Sequence, residues 1–225
     1  MVDGQRHTEA ETPKLVEDKA AIAALEVANG VRQFDAAMQE ILTAIERKPN
    51  YRLRNSMILA LHRHAVDKLD LFAGAFRPGD VNISKSQHVP PEAALVPGLM
   101  EEMCDFVNDN WDMPPVELGA YVLWRICWIH PFTDGNGRTA RVVSYVVMCV
   151  AIGMRLPGLL SIPEQIAGNK PPYYDALEAA DAIYKATGRT DVSELAELIG
   201  NMLAKQLATV HDFAKGDIEG LRLAE

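Results

Sequence analysis

Apolar residues recur at helical spacing along most of this chain. Phe34, Met38, Ile41 and Ile45 stand three or four apart, so they share one face of a helix over residues 34–46. Upstream, residues 20–27 are rich in Ala, Leu and Ile and predict a shorter helix. Asn29-Gly30 reads as the turn or cap between the two. Pro13 suits the first turn of a helix, and the polar stretch 1–12 reads as a disordered tail or one that orders against a partner. After Pro49-Asn50 a further helical pattern covers residues 51–71, with Met57, Leu59, Leu61, Val66 and Leu69 as its apolar members. His62 and His64 lie two apart in it and so on different faces, which predicts one packed and one exposed histidine rather than a metal pair.

The pattern changes at Ala73. Residues 73–80 are turn-rich. Val81-Asn82-Ile83-Ser84 then alternates apolar and polar, as a strand does. Lys85-Ser86-Gln87 reads as a hairpin turn, with His88-Val89 as the return arm and Pro90-Pro91 as its end. A lone hairpin is marginal unless it packs on a larger body. Its free edge is open to an extended peptide, although a structural cover is an equal reading of the residues alone.

Helical spacing returns over residues 95–108 through Val96, Leu99, Met103 and Phe106, and again over 116–129 after Pro114-Pro115. The second of these carries Val122, Trp124, Cys127 and Trp128, whose tryptophans read as core. Pro131 stops it and biases His130 away from helical geometry. Residues 142–152 are almost uniformly apolar, which predicts a helix buried on most sides. Ser161 and Glu164 form a capping-box pattern. Residues 169–172 make a loop before a helix opening at Tyr173-Tyr174. Asp191 or Ser193 caps a last helix through Leu207, and residues 211–225 form a charged tail.

The chemistry concentrates in residues 130–141, between the two most apolar helices. Asp134 is a hard oxygen donor suited to Mg²⁺. Gly135-Asn136-Gly137 forms a tight turn whose bare N–H groups can face an anion, and the helix that follows points its positive end into the same space. Arg138 and Arg141 share a face of that helix's first turn. Two cations at a helix N-terminus are unfavourable unless a polyanion lies between them. His130 is a plausible base at neutral pH.

The net charge of −9 and the lack of a basic stripe argue against nucleic acid as a partner. They also make the motif arginines a local positive site in an acidic protein. Cys104, Cys127 and Cys149 are isolated in apolar patterns and read as small buried hydrophobes. The polar start shows no signal peptide, and the longest apolar run, 142–154, is too short to span a bilayer, so a cytoplasmic protein with no membrane association is expected.

The stretch His130-Pro131-Phe132-Thr133-Asp134-Gly135-Asn136-Gly137-Arg138-Thr139-Ala140-Arg141 resembles the Fic-domain signature His-x-Phe-x-(Asp/Glu)-Gly-Asn-Gly-Arg-x-x-Arg at every specified position. A looser resemblance extends from about Tyr51 to Leu207. It implies a mainly α, Fic-type helical bundle with a short β-hairpin flap over the active site. The implied organisation is a helical extension at 1–50, a core at 51–210 and a tail at 211–225 that opens a linker. The Gly-x-Phe-Arg and His-x-Pro-Pro elements resemble those framing the family's flap, so Asn82, Ile83, Ser84, Lys85, Ser86, Gln87 and His88 are implied to dock a target protein. The implied activity is transfer of AMP from ATP to a Ser, Thr or Tyr hydroxyl of that target. By position, His130 is the base and Asp134 holds Mg²⁺. Gly135, Asn136, Gly137, Arg138 and Arg141 take the phosphates, while Asn169 and at least one of Tyr173 and Tyr174 line the nucleoside pocket. Phe132 reads as a packing anchor.

Many family members restrain themselves with a (Ser/Thr)-x-x-x-Glu-(Gly/Asn) helix whose Glu pairs with the second motif arginine. This chain has no match. Glu26 is the candidate for a divergent version, and Ser193 with Glu197 has the separation but is followed by Leu198. The alternatives left open are another Fic-type phosphotransfer, AMP removal, or a non-enzymatic nucleotide- and peptide-binding module. Gly137 stands against the phosphorylating relatives, which carry Lys there. Also left open are a homo-oligomer and an inhibitory partner.

Overall fold

The computed structural model of the chain describes residues 6–13 and 15–215. In chain order the elements are β1 (Thr8–Glu9), α1 (Lys19–Glu46), α2 (Asn55–Val66), β2 (Asn82–Ile83), α3 (Val96–Asp109), α4 (Pro115–Ile129), α5 (Asn136–Ile152), α6 (Ile162–Gly168), α7 (Pro171–Thr187) and α8 (Ser193–Lys215). A short 3-10 turn over Ala93–Leu95 leads into α3.

α4 and α5 form the centre. The residues from Leu118 to Ile126 of α4 are all buried, as are those from Val142 to Val150 of α5, as their nearly uninterrupted apolar runs require. The two helices approach closely at Gly119, where the Ser144 hydroxyl donates to the Gly119 carbonyl at 2.7 Å. An added Cβ at Gly119 would meet that hydroxyl at 3.4 Å. α1 and α2 pack together and both lie against α5; α3 and α8 cover α4; α7 packs between α4 and α8. Ala37, Met38, Ile41 and Ala44 of α1 belong to the same core as α4 and α5. The loop joining the central pair therefore has both of its ends set in packed helices.

Several local expectations give way to tertiary contacts. Asn29-Gly30 is not a turn: α1 runs through it without a break. The Asn29 side chain donates to the Asp67 carbonyl at 2.9 Å, and Gln33 donates to the Leu61 carbonyl at 3.2 Å. A glycine in mid-helix costs about 1 kcal/mol against alanine. Burying the apolar face of α1 outweighs that cost. Pro13 precedes the helix rather than opening it; Asp18 is the cap, its carboxylate accepting from the Ala21 N–H at 2.7 Å. α2 is shorter than its pattern, because residues 51–54 lie outside the helix, with Arg54 extended and Leu53 pairing its backbone with the Asn108 amide. The capping box of Ser161 and Glu164 forms as expected. α8 runs on to Lys215, past Leu207; residues 216–225 of the expected tail lie outside the described residues.

The larger correction concerns the flap. His88-Val89 does not return against β2. The antiparallel partner is β1, with Thr8 opposite Ile83 and Glu9 opposite Asn82. His88 turns inward instead, with its Nε2 2.7 Å from the Trp128 carbonyl. The stretch read as a disordered tail, or one that orders against a partner, is thus laid on the flap from Arg6 onward, while residues 1–5 lie outside the described residues. No helix among the described residues is long and apolar enough to cross a membrane.

Candidate active site

α4 ends where Pro131 forbids continuation. Its cap, His130, takes a left-handed backbone with φ 52, and its N–H donates to the Ile126 carbonyl at 2.9 Å. That conformation is uncommon for a residue with a Cβ. It is held by Arg77, a buried side chain whose Nε–H donates to the His130 carbonyl at 2.9 Å. The Arg77 backbone N–H also donates to the Pro131 carbonyl at 2.9 Å. Burial lowers the guanidinium pKa, and Asp80 opposes that shift. The flap-framing arginine is therefore also the brace of the histidine.

The remainder of the loop is fixed from α2. His62 is fully buried and stacks on Phe132, with ring centroids 3.7 Å apart and planes within 5°. The Gly74 N–H donates to His62 Nδ1 at 3.1 Å, so the proton sits on Nε2, which donates to the Asp134 carbonyl at 3.0 Å. Burial lowers the His62 pKa to about 4. His64 is half-buried. Thr133 donates to Asp70, and Gly135 adopts φ 75 where an added Cβ would meet Val66 Cγ1 at 2.6 Å. The Asn136 side chain closes the loop on itself, accepting from the Phe132 N–H at 2.9 Å and donating to its carbonyl at 2.7 Å.

His130 faces a cleft of ≈ 410 Å³. It is 8% exposed. Its Nδ1 lies 3.3 Å from the Cys127 carbonyl, which can only accept. The proton therefore sits on Nδ1, and Nε2 presents a lone pair to the cleft. Burial, helped by the positive fields of His88 and Arg77, lowers its pKa to about 4 against the opposing bond to Cys127. The imidazole is thus neutral and ready to accept a proton at any pH near 7.

Opposite it, the first turn of α5 carries Asn136, Gly137 and Arg138, whose N–H groups have no intrahelical acceptor. Arg141 follows and lines the cleft with no hydrogen bond or ion pair among the described residues. Gly137 leaves room for it: a Cβ there would meet Arg141 Nη1 at 3.2 Å. Lys170 adds a third cation. Its pKa is lowered by burial and by the charges of Arg141 and Arg138. Asp134 is the motif's carboxylate in this cleft, accepting from the Gly135 N–H at 2.6 Å and from Arg138 at 2.8 Å. No cluster of three acidic, His or Cys side chains suited to a metal exists among the described residues. The Asp134 carboxylate beside an anion nest fits Mg²⁺, which would take further oxygens from phosphate and water.

The other candidates divide. Tyr173 and Tyr174 line the cleft, Tyr173 almost wholly buried with its hydroxyl 3.0 Å from Cys127 Sγ. Asn169 is exposed and lies outside the cleft lining, where its neighbour Lys170 takes part. On the flap, Ile83, Ser86 and His88 line the cleft, whereas Asn82, Lys85 and Gln87 point to solvent and Ser84 bonds to His7. Glu26 lies 3.5 Å from Arg138 rather than on Arg141, with its side chain 52% exposed. Burial raises the thiol pKa of Cys104 to about 12 and those of Cys127 and Cys149 to about 11; Cys104 and Cys149 are core residues as expected, whereas Cys127 is half-buried and lines the cleft.

Sequence reasoning missed Lys170, His62 as a brace, and Arg6 and Thr8. The Thr8 hydroxyl lies 2.9 Å from His130 Nε2 and accepts from the Asn136 side-chain N–H at 3.1 Å. The proline pair after Lys170 marked a helix start, and a basic residue there could have been weighed. Nothing local marks Thr8.

Residues 52–148 match the Fic/DOC family. The chain is 33% identical over 123 residues to "Protein adenylyltransferase fic-1" of Caenorhabditis briggsae, covering 53% of this chain and 24% of that protein. It is 29% identical over 185 residues to "Protein adenylyltransferase Fic" of Drosophila willistoni, covering 80% of this chain and 35% of that protein. The chain thus spans about a quarter to a third of the length of these curated relatives. Its fold is similar to that of a Fic domain containing signaling protein from Bacteroides thetaiotaomicron (TM-score 0.70, 20% identity, 89% of this chain and 76% of that one). It is also similar to Fic-1 (aa134–508) from C. elegans (TM-score 0.66, 22% identity, 89% and 55%).

Proposed function

We propose that this chain, whose residues 52–148 match the Fic/DOC family, transfers AMP from ATP to a hydroxyl of a protein. The observation that carries the reading is the His130 lone pair. Its Nε2 is deprotonated, fixed in direction, and 2.9 Å from a hydroxyl in a cleft lined by an anion nest and by Arg138, Arg141 and Lys170. The relatives named protein adenylyltransferase support the same chemistry.

In this reading the hydroxyl gives its proton to His130 Nε2 as its oxygen attacks the α-phosphorus of ATP. The bond from the α-phosphorus to the bridging oxygen breaks and pyrophosphate leaves. Arg138, Arg141 and Lys170 hold the outgoing phosphates, and the N–H groups of the α5 first turn face the charge that develops. Asp134 would hold Mg²⁺, which supplies charge neutralisation between the phosphates when bound. Tyr174 lines the side of the cleft where the nucleoside fits. The flap edge around Ile83, which the chain's own β1 occupies, is the edge on which an extended acceptor segment would pair. The proposed setting is the cytoplasm, where unpaired cysteines stay reduced.

The test uses purified protein, Mg²⁺ and ATP labelled at the α- or the γ-phosphate, with His130→Ala beside it. Covalent label from α alone, lost in His130→Ala while ATP still binds, is the expected result. Label from γ alone would replace nucleotidyl transfer with phosphoryl transfer, and a His130→Ala protein at full rate would remove the base.

A further inference from the structure

We propose that Thr8 is a self-modification site: the chain's own N-terminal strand is docked as a substrate, and AMP is transferred to the Thr8 hydroxyl within one molecule. This deepens the proposed function and rests on it.

The strand is placed as an acceptor segment must be. Residues from Arg6 to Thr12 alternate strictly between half-buried and exposed, with Arg6, Thr8, Ala10 and Thr12 turned to the body and His7, Glu9 and Glu11 to solvent. That period of two is the signature of one strand face against a surface. The register on β2 sets Thr8 opposite Ile83. The ladder continues past the paired residues, with the Ser84 N–H donating to the His7 carbonyl at 2.9 Å and the His7 N–H donating to Ser84 Oγ at 2.9 Å. A shift of one residue would put His7 or Glu9 at the histidine and point Thr8 to solvent. Arg6 locks that register from the other side of the cleft. Its guanidinium lies over the Tyr174 ring at 4.4 Å and pairs with Glu178.

The hydroxyl is also prepared chemically. Its hydrogen is directed at His130 Nε2, 2.9 Å away, inside the range that a nucleophile and its base require. One of its two lone pairs accepts from Asn136 Nδ2 at 3.1 Å. The second stays free for attack. In the transfer, Thr8 Oγ1 bonds to the α-phosphorus of ATP and its proton passes to His130 Nε2. The bond to the bridging oxygen breaks and its electrons leave with pyrophosphate. The products are a Thr8–O–AMP phosphodiester, pyrophosphate and one proton. Because nucleophile and base are already joined within one chain, the step carries the advantage of an intramolecular reaction and its rate per molecule is independent of protein concentration.

The experiment incubates the full chain with Mg²⁺ and α-labelled ATP, locates the label by peptide mass spectrometry, and repeats the time course at several dilutions. Thr8→Ala, Thr8→Ser and an added cell lysate are run in parallel. The expected result is adenylyl on Thr8, absent in Thr8→Ala, retained on the serine of Thr8→Ser, with a rate per molecule that does not change on dilution. Label on lysate proteins or on another residue of the chain, with Thr8 unmodified, would overturn the inference and leave nucleotidyl transfer standing. A Thr8 rate that falls in proportion to dilution would overturn the intramolecular step. No α-label on any protein would overturn both this inference and the function it rests on.

Discussion

Placing a methyl group on Gly135 tests how the site is held. The residue sits at φ 75 at the head of α5, and a Cβ there would lie 2.6 Å from Val66 Cγ1 and 3.4 Å from the His62 ring. An ordinary carbon contact is about 3.5–4.0 Å, so one side must yield by roughly 1 Å. Val66 cannot retreat, because it is fully buried at the end of α2, one turn beyond the His62 ring that stacks on Phe132. The left-handed backbone costs a residue with a Cβ about 1–2 kcal/mol, and overpacking adds about 1–3 kcal/mol. The sum for Gly135→Ala is roughly 2–5 kcal/mol, a large part of the stability of about 5–15 kcal/mol typical of a domain. In urea the midpoint should fall by roughly 1–2 M. The same movement displaces the Gly135 N–H that orients the Asp134 carboxylate at 2.6 Å, so ATP binding in Mg²⁺ should weaken in parallel. Gly30→Ala is the control. Gly30 is exposed in mid-helix with no heavy atom within 4 Å of the new Cβ, so stability should rise by up to about 1 kcal/mol. A Gly135→Ala protein that melts within about 0.5 kcal/mol of the parent, the usual range for a harmless surface change, and binds ATP normally would refute the account of the loop as braced by α2.

The two buried histidines make stability depend on pH. His62 and His130 have folded-state pKa values lowered to about 4, against about 6.5 when unfolded. The unfolded chain therefore binds more protons, and the stabilisation is complete above pH 6.5 and lost as pH falls toward 4. Between pH 7 and 5 each histidine should remove roughly 2 kcal/mol. Urea melts of the parent and His62→Gln at both pH values should show that loss shrinking by one histidine's share; equal losses would contradict the burial of His62 as the cause. Glu26→Gly should strengthen ATP binding by less than about fivefold, because an exposed ion pair is worth about 0–1 kcal/mol. A rise of several orders of magnitude in turnover would instead make Glu26 a true brake, and no change would make it a bystander. Arg141→Ala should weaken ATP binding or misplace the triphosphate, read by calorimetric titration and turnover; normal values in both would leave Arg141 a surface cation.

The candidate site residues were legible because they are contiguous. His130, Asp134, the Gly135–Gly137 turn, Arg138 and Arg141 lie in one short stretch whose local rules, a proline stop and a glycine turn before an apolar helix, bring them together. The helices were legible for a related reason: a face buried every three or four residues writes its period into the chain, as in α3, α4 and α5. Local signals failed where a distant partner decided. Asn29-Gly30 has turn chemistry, yet Asn29 is spent on Asp67 and the helix passes through. His62 and His64 look alike in sequence, and only the stack on Phe132 and the bond to Asp134 separate them.

The flap shows the same limit most clearly. The alternation around Ile83 announced a strand, but a backbone ladder carries no side-chain code for its partner. β1, from a polar stretch with no apolar alternation to announce it, took the edge expected for His88-Val89. Lys170 and Thr8 reached the cleft in the same way, each brought beside the motif by the packing of the whole chain. The sequence by itself determined the helices and the motif loop, because those depend on neighbours along the chain. The tertiary structure alone decided which hydroxyl stands before His130. That choice depends on the register between segments more than seventy residues apart, with Ser84 and His7 separated by 77 positions.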